Sequence, residues 1–208
     1  MIRRKILMGA VATALLPIGP ALRFAAPAAA QDSAIFPDDR ILGAEAAPIT
    51  IIEYSSLTCP HCAHLHAGAL PEIKKTWIAE GKARLVYRHF PLDGLALRAA
   101  AVSNCIEGDR HFSFLDLLFG NQERWARSNE PLKALGQYAR LAGLSQERFD
   151  ACVTDEAEMN RILARAQDGQ RTYQVQSTPT LIINGEKVEG ARSFKYLEGI
   201  FNKFASRT

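Results

Sequence analysis

Two cysteines separated by two residues, Cys59 and Cys62 in the stretch Ser56-Leu57-Thr58-Cys59-Pro60-His61-Cys62, are the side chains of this sequence best suited to chemistry. Only the thiolate attacks a disulfide, and an ordinary cysteine with a pKa near ~8.5 is mostly protonated at neutral pH. The stretch follows an apolar run and opens an amphipathic helix. Three features there stabilise an anion on Cys59: the unpaired amides and positive dipole of a helix start, an imidazolium on His61, and a hydrogen bond from the Cys62 thiol. A fall to about pKa 4, within the ~3.5 to 7.5 range of activated cysteines, leaves about three pH units of effect at neutrality. That is ~4 kcal/mol, or roughly 90 mV toward the oxidising side for a two-electron couple. The reduced folded protein has this gain in full above the unperturbed pKa and loses it as pH falls through the folded value. Such a disulfide is expected to be given away readily.

Other candidates are weighed beside this pair. Glu53 shares a strand face with Ile49 and Ile51 and lies six residues before Cys59. If buried, its pKa rises and it exchanges protons near the cysteines; the alternative is an exposed glutamate on a sheet edge. His64 and His66 read as a solvated helix flank, and His111 as structural. Cys59, His61, Cys62, His64 and His66 crowd eight residues with metal-compatible ligands. Their helical spacing separates the two faces and no second ligand cluster completes a tetrahedral site, so no metal is expected. Covalent haem is excluded because Ala63 stands where Cys-x-x-Cys-His requires histidine.

Arg3-Arg4-Lys5, the apolar Ile6 to Leu16 and the small residues Ala28-Ala29-Ala30 read as a secretory signal over 1–30, cleaved near Ala30. Pro17, Gly19 and Pro20 interrupt an apolar run already shorter than a membrane span, and the paired arginines leave both common export routes open. The full chain carries +3. Removing Arg3, Arg4, Lys5 and Arg23 leaves 21 basic against 22 acidic residues, so nucleic-acid binding has no electrostatic support. Export implies an oxidising compartment. Cys105 and Cys152, on separate helices away from the Cys-x-x-Cys, are expected to form a structural disulfide; the alternative is that they tune the active pair. Closing the 48 residues of 105–152 gives about 4 kcal/mol in the chain-entropy model, as an upper figure.

The elements that must position Cys59 follow from patterning. Ile49 to Tyr54 reads as a strand buried on both faces. From Cys62 the residues Leu65, Ala69, Leu70, Ile73 and Trp77 form a helical stripe that Pro71 bends or interrupts. Ala83 to Arg88 alternates as a second strand beyond Gly81, completing β-α-β. Helices are then expected over Leu95 to Ile106, His111 to Trp125, Leu132 to Ala142, Gln146 to Val153 and Asp155 to Tyr173. Pro131 marks a first helical position, Gly143 a C-terminal cap, and Ser145 an N-cap with a Leu144 to Phe149 staple. Val175 to Ile183 reads as a strand, Asn184-Gly185 as a hairpin turn into Lys187 to Glu189, and Phe194 to Phe204 as a closing helix.

Cys59-Pro60-His61-Cys62 resembles the active site of the DsbA family of periplasmic thiol-disulfide oxidoreductases, and the resemblance spans roughly Ile35 to Phe204. Glu53 sits where that family has its buried acid. Thr178-Pro179-Thr180 resembles the cis-proline loop that faces the cysteines. The resemblance implies an α/β thioredoxin fold, a small mixed sheet flanked by helices, over 31–94 and 174–208, with a large helical insertion over 95–173. It implies Cys59, Cys62 and His61 as catalytic, supported by Pro60, Glu53, Thr178 and Pro179, and a redox-active Cys59–Cys62 disulfide in place of a cofactor. Unfolded or reduced exported proteins are the implied substrates, a DsbB-like quinone-linked inner-membrane protein the reoxidant, and the periplasm the location. With only about eighteen residues (31–48) before the first strand, a monomeric oxidase is favoured over a dimeric disulfide isomerase or a reductase.

Overall fold

The computed structural model describes residues 35–108 and 110–206; the leader read over 1–30 lies outside them. Five strands form one mixed sheet in the order β1-β3-β2-β4-β5. They are β1 (Arg40–Leu42), β2 (Ile49–Ser55), β3 (Ala83–His89), β4 (Thr180–Ile183) and β5 (Glu186–Glu189). β2 is central and every one of its residues is buried, as a near-continuous apolar run demands. It runs parallel to β3 and antiparallel to β4, while β1 and β5 add antiparallel edges. Asn184 and Gly185 both take positive φ, 45° and 87°, the geometry that the tight hairpin between β4 and β5 requires. The Asn184 side chain also accepts from the Thr50 amide (2.7 Å) and donates to the Pro48 carbonyl (3.0 Å), clipping the hairpin to β2.

Helices α1 (Pro60–Ala67) and α2 (Ala69–Ile73) connect β2 to β3, continued by one π-helical turn at Lys74–Ile78. The break falls at Gly68, whose φ/ψ of −107°/−91° leaves the helical region, and not at Pro71. Proline in the first turn of a helix loses no internal hydrogen bond, so it begins α2 without bending it. Between β3 and β4 lie α3 (Gly94–Asn104), α4 (Arg110–Gly120), α5 (Gln122–Ala126), α6 (Pro131–Leu141), α7 (Gln146–Val153) and α8 (Glu156–Tyr173), and α9 (Phe194–Ala205) ends the chain. The helix expected over His111 to Trp125 is therefore two, split at Asn121. Ser145 caps α7 by accepting from the Arg148 amide, and Pro131 opens α6. Cys105 and Cys152 are bonded, joining the end of α3 to α7. Among the described residues no helix is long and apolar enough to cross a membrane.

The two faces of β2 bury different chemistry. Ile49, Ile51 and Glu53 face the larger core, which includes Cys59, Cys62, Leu65, Leu85, Tyr87 and Leu181. Ile52 and Tyr54 face a second core with Val86, Ala166, Val175 and Ile182, covered by α8. This second cover explains why β3 is buried on both sides although its sequence alternates. Arg88 points into it, clamped in two hydrogen bonds to Asp39 (3.0 and 2.7 Å) and donating to Tyr54 Oη at 2.8 Å. The strand expected from Val175 begins only at Thr180, because the chain bends over 177–179 through a cis Thr178–Pro179 bond.

α8 approaches β2 so closely because Gly169 faces the Tyr54 ring: a Cβ there would lie 2.5 Å from Cε1. That ring is pinned by Arg88 and packs edge-on against Phe90. Gly169→Ala is expected to destabilise by about 1–3 kcal/mol through overpacking. Gly199→Ala, on the exposed side of α9 with nothing near its Cβ, is expected to gain up to about 1 kcal/mol from helix propensity. Thermal unfolding of the two variants checks this pairing, and a Gly169→Ala protein as stable as the parent would contradict the packing.

Candidate active site

The end of β2 sets the site. Its last residue, Ser55, anchors the start of the loop after β3 by accepting from the Phe90 amide at 2.8 Å, and the chain then turns through Ser56, Leu57 and Thr58 into α1. Cys59 is the N-cap of α1 and Pro60 its first residue, where the missing N–H loses nothing. The Cys59 carbonyl accepts from the Cys62 and Ala63 amides at 3.1 and 3.2 Å. Gln122 of α5 donates from one Nε2 to the Leu57 carbonyl at 2.8 Å and the Cys59 carbonyl at 3.0 Å. The inserted helices thus hold the loop that presents the cysteines. Thr58 donates to Asp93, which also caps α3.

Cys59 and Cys62 are thiols here, 6% and 0% exposed. Cys59 Sγ donates to the Thr178 carbonyl at 3.4 Å, so the cis-peptide loop lies directly against it. The Cys59 thiol is pulled from 9.0 down to about 5. The largest cause is the hydrogen bond from the Cys62 thiol, opposed by desolvation; the Thr178 side chain and the backbone amides of Cys62 and His61 lower it further. Thr178 Oγ1 is buried and unpartnered beside the protonated sulfur, which leaves it ready to donate to the anion. Cys62 is pushed far upward by its own burial and then by the Cys59 sulfur, with the Ser55 hydroxyl and Ser56 amide pulling the other way. His61 acts on Cys59 through its main-chain N–H, its side chain standing exposed. The lowering to about 5 is less than the expected fall to about 4, and the oxidising effect at neutral pH is correspondingly smaller.

Glu53 is fully buried beneath the pair. Its Oε1 accepts a short hydrogen bond from Ser55 Oγ and a 2.9 Å contact from His66 Nε2. This corrects the reading of His66 as solvated. Four residues after Cys62 it falls on the same helix face as that buried cysteine, stacked on Phe119 with ring centroids 3.9 Å apart. Its Nδ1 lies 3.3 Å from Asp116 Oδ1 of α4, and Lys74 holds Asp116 at 2.6 Å. Burial lowers His66, but the Glu53 charge and the hydrogen bonds to Asp116 and Glu53 outweigh it, and its pKa lies above the ordinary value. His64 is exposed. His111 is buried with Nδ1 3.0 Å from the Ser103 carbonyl, and desolvation lowers it to about 4, consistent with a structural role. Among the described residues no three acidic, cysteine or histidine side chains gather as a metal cluster. Ser55, Asp116 and Gln122 were not singled out from sequence, and His66 was weighed there only as a solvated helix flank or a metal-compatible ligand; the spacing from Cys62 to His66 was the one signal of its burial.

A family model described as Thioredoxin matches residues 36–203. The solved structure of Wolbachia pipientis α-DsbA1 superposes with a TM-score of 0.78 at 32% identity, covering 83% of this chain and 94% of that one. The chain is a DsbA-like member of the thioredoxin family. A structure titled protein-disulfide isomerase from Novosphingobium aromaticivorans shares the fold, with a TM-score of 0.69 at 24% identity and coverage of 80% of this chain and 97% of that one. A Rickettsia bellii protein, named provisionally as a protein-disulfide oxidoreductase, is 29% identical over 154 residues, 73% of this chain and 59% of the relative. The chain thus spans about three-fifths of the length of that curated relative. In this DsbA-like chain the Cys62 thiol, the cis loop's Thr178 and the helix-start amides lower the Cys59 thiol, while burial raises that of Cys62.

Ultraviolet thiolate absorbance of the reduced protein is expected to give a Cys59 midpoint of about 5, with Cys62 silent through neutral pH. Cys62→Ala removes the largest lowering contribution and is expected to raise that midpoint by about 1–2 units. The reduced protein should lose stability relative to the oxidised form as pH falls from 9.0 through about 5, because Cys59 is depressed in the folded state. A wild-type midpoint near 9.0 would contradict the site's electrostatics.

Proposed function

We propose that this chain is a protein thiol-disulfide oxidoreductase that donates a Cys59–Cys62 disulfide to reduced or unfolded exported proteins in the periplasm. The observation that carries the reading is the split between the cysteines: Cys59 held near 5 at the lip of the site, Cys62 buried below it. A substrate thiolate attacks Cys59 Sγ, the bond to Cys62 breaks, and a mixed disulfide forms. A second substrate thiolate attacks the substrate sulfur of that bond and expels Cys59, which leaves as a stable anion. Two electrons reach the enzyme; the substrate thiols release two protons, and Cys62 takes up one as it leaves.

The catalytic roles fall to Cys59 and Cys62, with His61 contributing its amide to the Cys59 anion and Pro60 fixing the helix start. Thr178 and Pro179 form the wall opposite Cys59, where an extended substrate segment pairs through main chain. A groove of about 330 Å³ runs beside Pro60 and Ala63 against Phe119 and Gln122, giving room for flanking residues. Residues 31–94 and 174–208 form the catalytic unit, and 95–173 an insertion that braces it through Gln122. Reoxidation falls to a DsbB-like, quinone-linked membrane protein, and the chain works as a monomer. Cys105–Cys152 acts as a brace within the insertion.

Equilibration with glutathione is expected to give a potential less negative than about −200 mV, whereas a value near about −270 mV would favour a reductase. Oxidation of a reduced model peptide should be abolished by Cys59→Ser, while Cys62→Ser accumulates mixed disulfides. Replacing Cys105 and Cys152 together by serine is expected to lower stability by about 2–4 kcal/mol. A doubly substituted protein with parental stability and an altered glutathione equilibrium would assign that pair to tuning instead.

A further inference from the structure

When Cys59 is attacked, Cys62 leaves with the bonding electron pair into a fully buried position, where desolvation strongly disfavours a thiolate. It needs a proton before solvent can supply one, and a connected path leads away from it. The Ser55 hydroxyl bonds to Cys62 and donates to Glu53 Oε1. The same Oε1 accepts from His66 Nε2 at 2.9 Å. On the far side of the ring, Nδ1 meets Asp116, which Lys74 holds near the surface.

We propose that His66 stores the proton that Cys62 needs, passing it from Nε2 through Glu53 Oε1 and Ser55 Oγ to Cys62 Sγ as the disulfide opens. The assignment deepens the thiol-exchange reading above and rests on it. In the opening step a substrate thiolate, the Cys59–Cys62 disulfide and the His66 imidazolium become a substrate–Cys59 disulfide, a Cys62 thiol and a neutral His66 protonated at Nδ1. In reoxidation an oxidant disulfide forms a mixed disulfide with Cys59, and Cys62 attacks that sulfur. The oxidant's thiolate leaves with two electrons, and the proton returns along the same atoms. It re-enters at Nε2, so the ring never turns. The two half-reactions drive the path in opposite directions and each resets it for the other.

The surroundings of His66 suit a store. Glu53 on β2 and Asp116 on α4 face its two nitrogens, Lys74 on the π-helical turn compensates Asp116, and Tyr87 on β3 stands edge-on at 6.2 Å. Cys62 lies one turn back on its own helix. Phe119 stacks on the ring and excludes water from it. Acid–base participants of this kind contribute on the order of 10²- to 10⁴-fold when they touch the reacting atom; His66, acting through two intermediates, is a positioning residue with a smaller effect.

The test is single-turnover opening of the oxidised protein by a reduced monothiol peptide, read by rapid quench and mass, across pH and corrected for the peptide's thiolate fraction. The wild-type rate is expected to fall as pH rises through the His66 titration and to show a solvent deuterium isotope effect. His66→Gln keeps a hydrogen bond to Glu53 but holds no transferable proton. It is expected to be about 10- to 100-fold slower, flat with pH and without the isotope effect. Asp116→Asn, at the half-exposed rim, is expected to move the wild-type fall toward lower pH by about one unit. A His66→Gln rate within twofold of wild type with an unchanged profile overturns the store while leaving the oxidoreductase reading intact. If His66→Gln fails to fold, an unshifted Asp116→Asn profile overturns it alone. A wild-type protein that does not exchange with the peptide at all overturns both.

Discussion

One proton and two sulfurs govern this molecule. The reduced pair has a single shared proton at neutral pH, and the structure forces it onto the lower sulfur. Cys62 is sealed at 0% exposure, where an anion is heavily penalised, so it stays a thiol and donates upward. Cys59 receives that donation together with the Thr178 side chain and two main-chain amides, and becomes the anion. Each sulfur's state depends on the other's. A bonded pair cannot have this arrangement, and the drive to reach it is what makes the disulfide transferable.

The fold sustains the asymmetry with elements of different origin. β2 is buried on both faces and ends just before α1 begins, so the helix start is fixed to the central, fully buried strand of the sheet. The loop before β4 brings Thr178 against Cys59. The inserted helices contribute Gln122 to the loop carbonyls and Asp116 and Phe119 to His66. The insertion is therefore part of the site's construction as well as its cover. On the opposite face Gly169 lets α8 press on Tyr54, completing the burial that a two-sided apolar strand needs.

Local rules made much of this legible. The Ile49 to Tyr54 run, Asn184-Gly185, Ser145 and Pro131 each carry their reason within a few residues, and each sits where that reason places it. What escaped depends on distant partners. β1 is three residues long and gains its conformation only from pairing with β3. The break at Gly68, in place of Pro71, follows from the turn that packs α2 against the core. Arg88 looked like the polar side of an alternating strand, because Asp39 and Tyr54, which satisfy it, lie far away in sequence. Cys59, Cys62, Glu53, Thr178 and Pro179 could be named from motif and resemblance. His66 read as solvent-facing because nothing local announces that Asp116, fifty residues later, waits for its second nitrogen.

The central claim is that charge and proton are separated within the reduced pair, and site-resolved carbon NMR of cysteine-labelled protein tests it directly. In reduced protein at neutral pH the Cys59 Cβ shift should be that of a thiolate and move only near pH 5, while the Cys62 Cβ shift stays that of a thiol throughout. Two thiol shifts at neutral pH, or both carbons titrating together above it, would contradict the account.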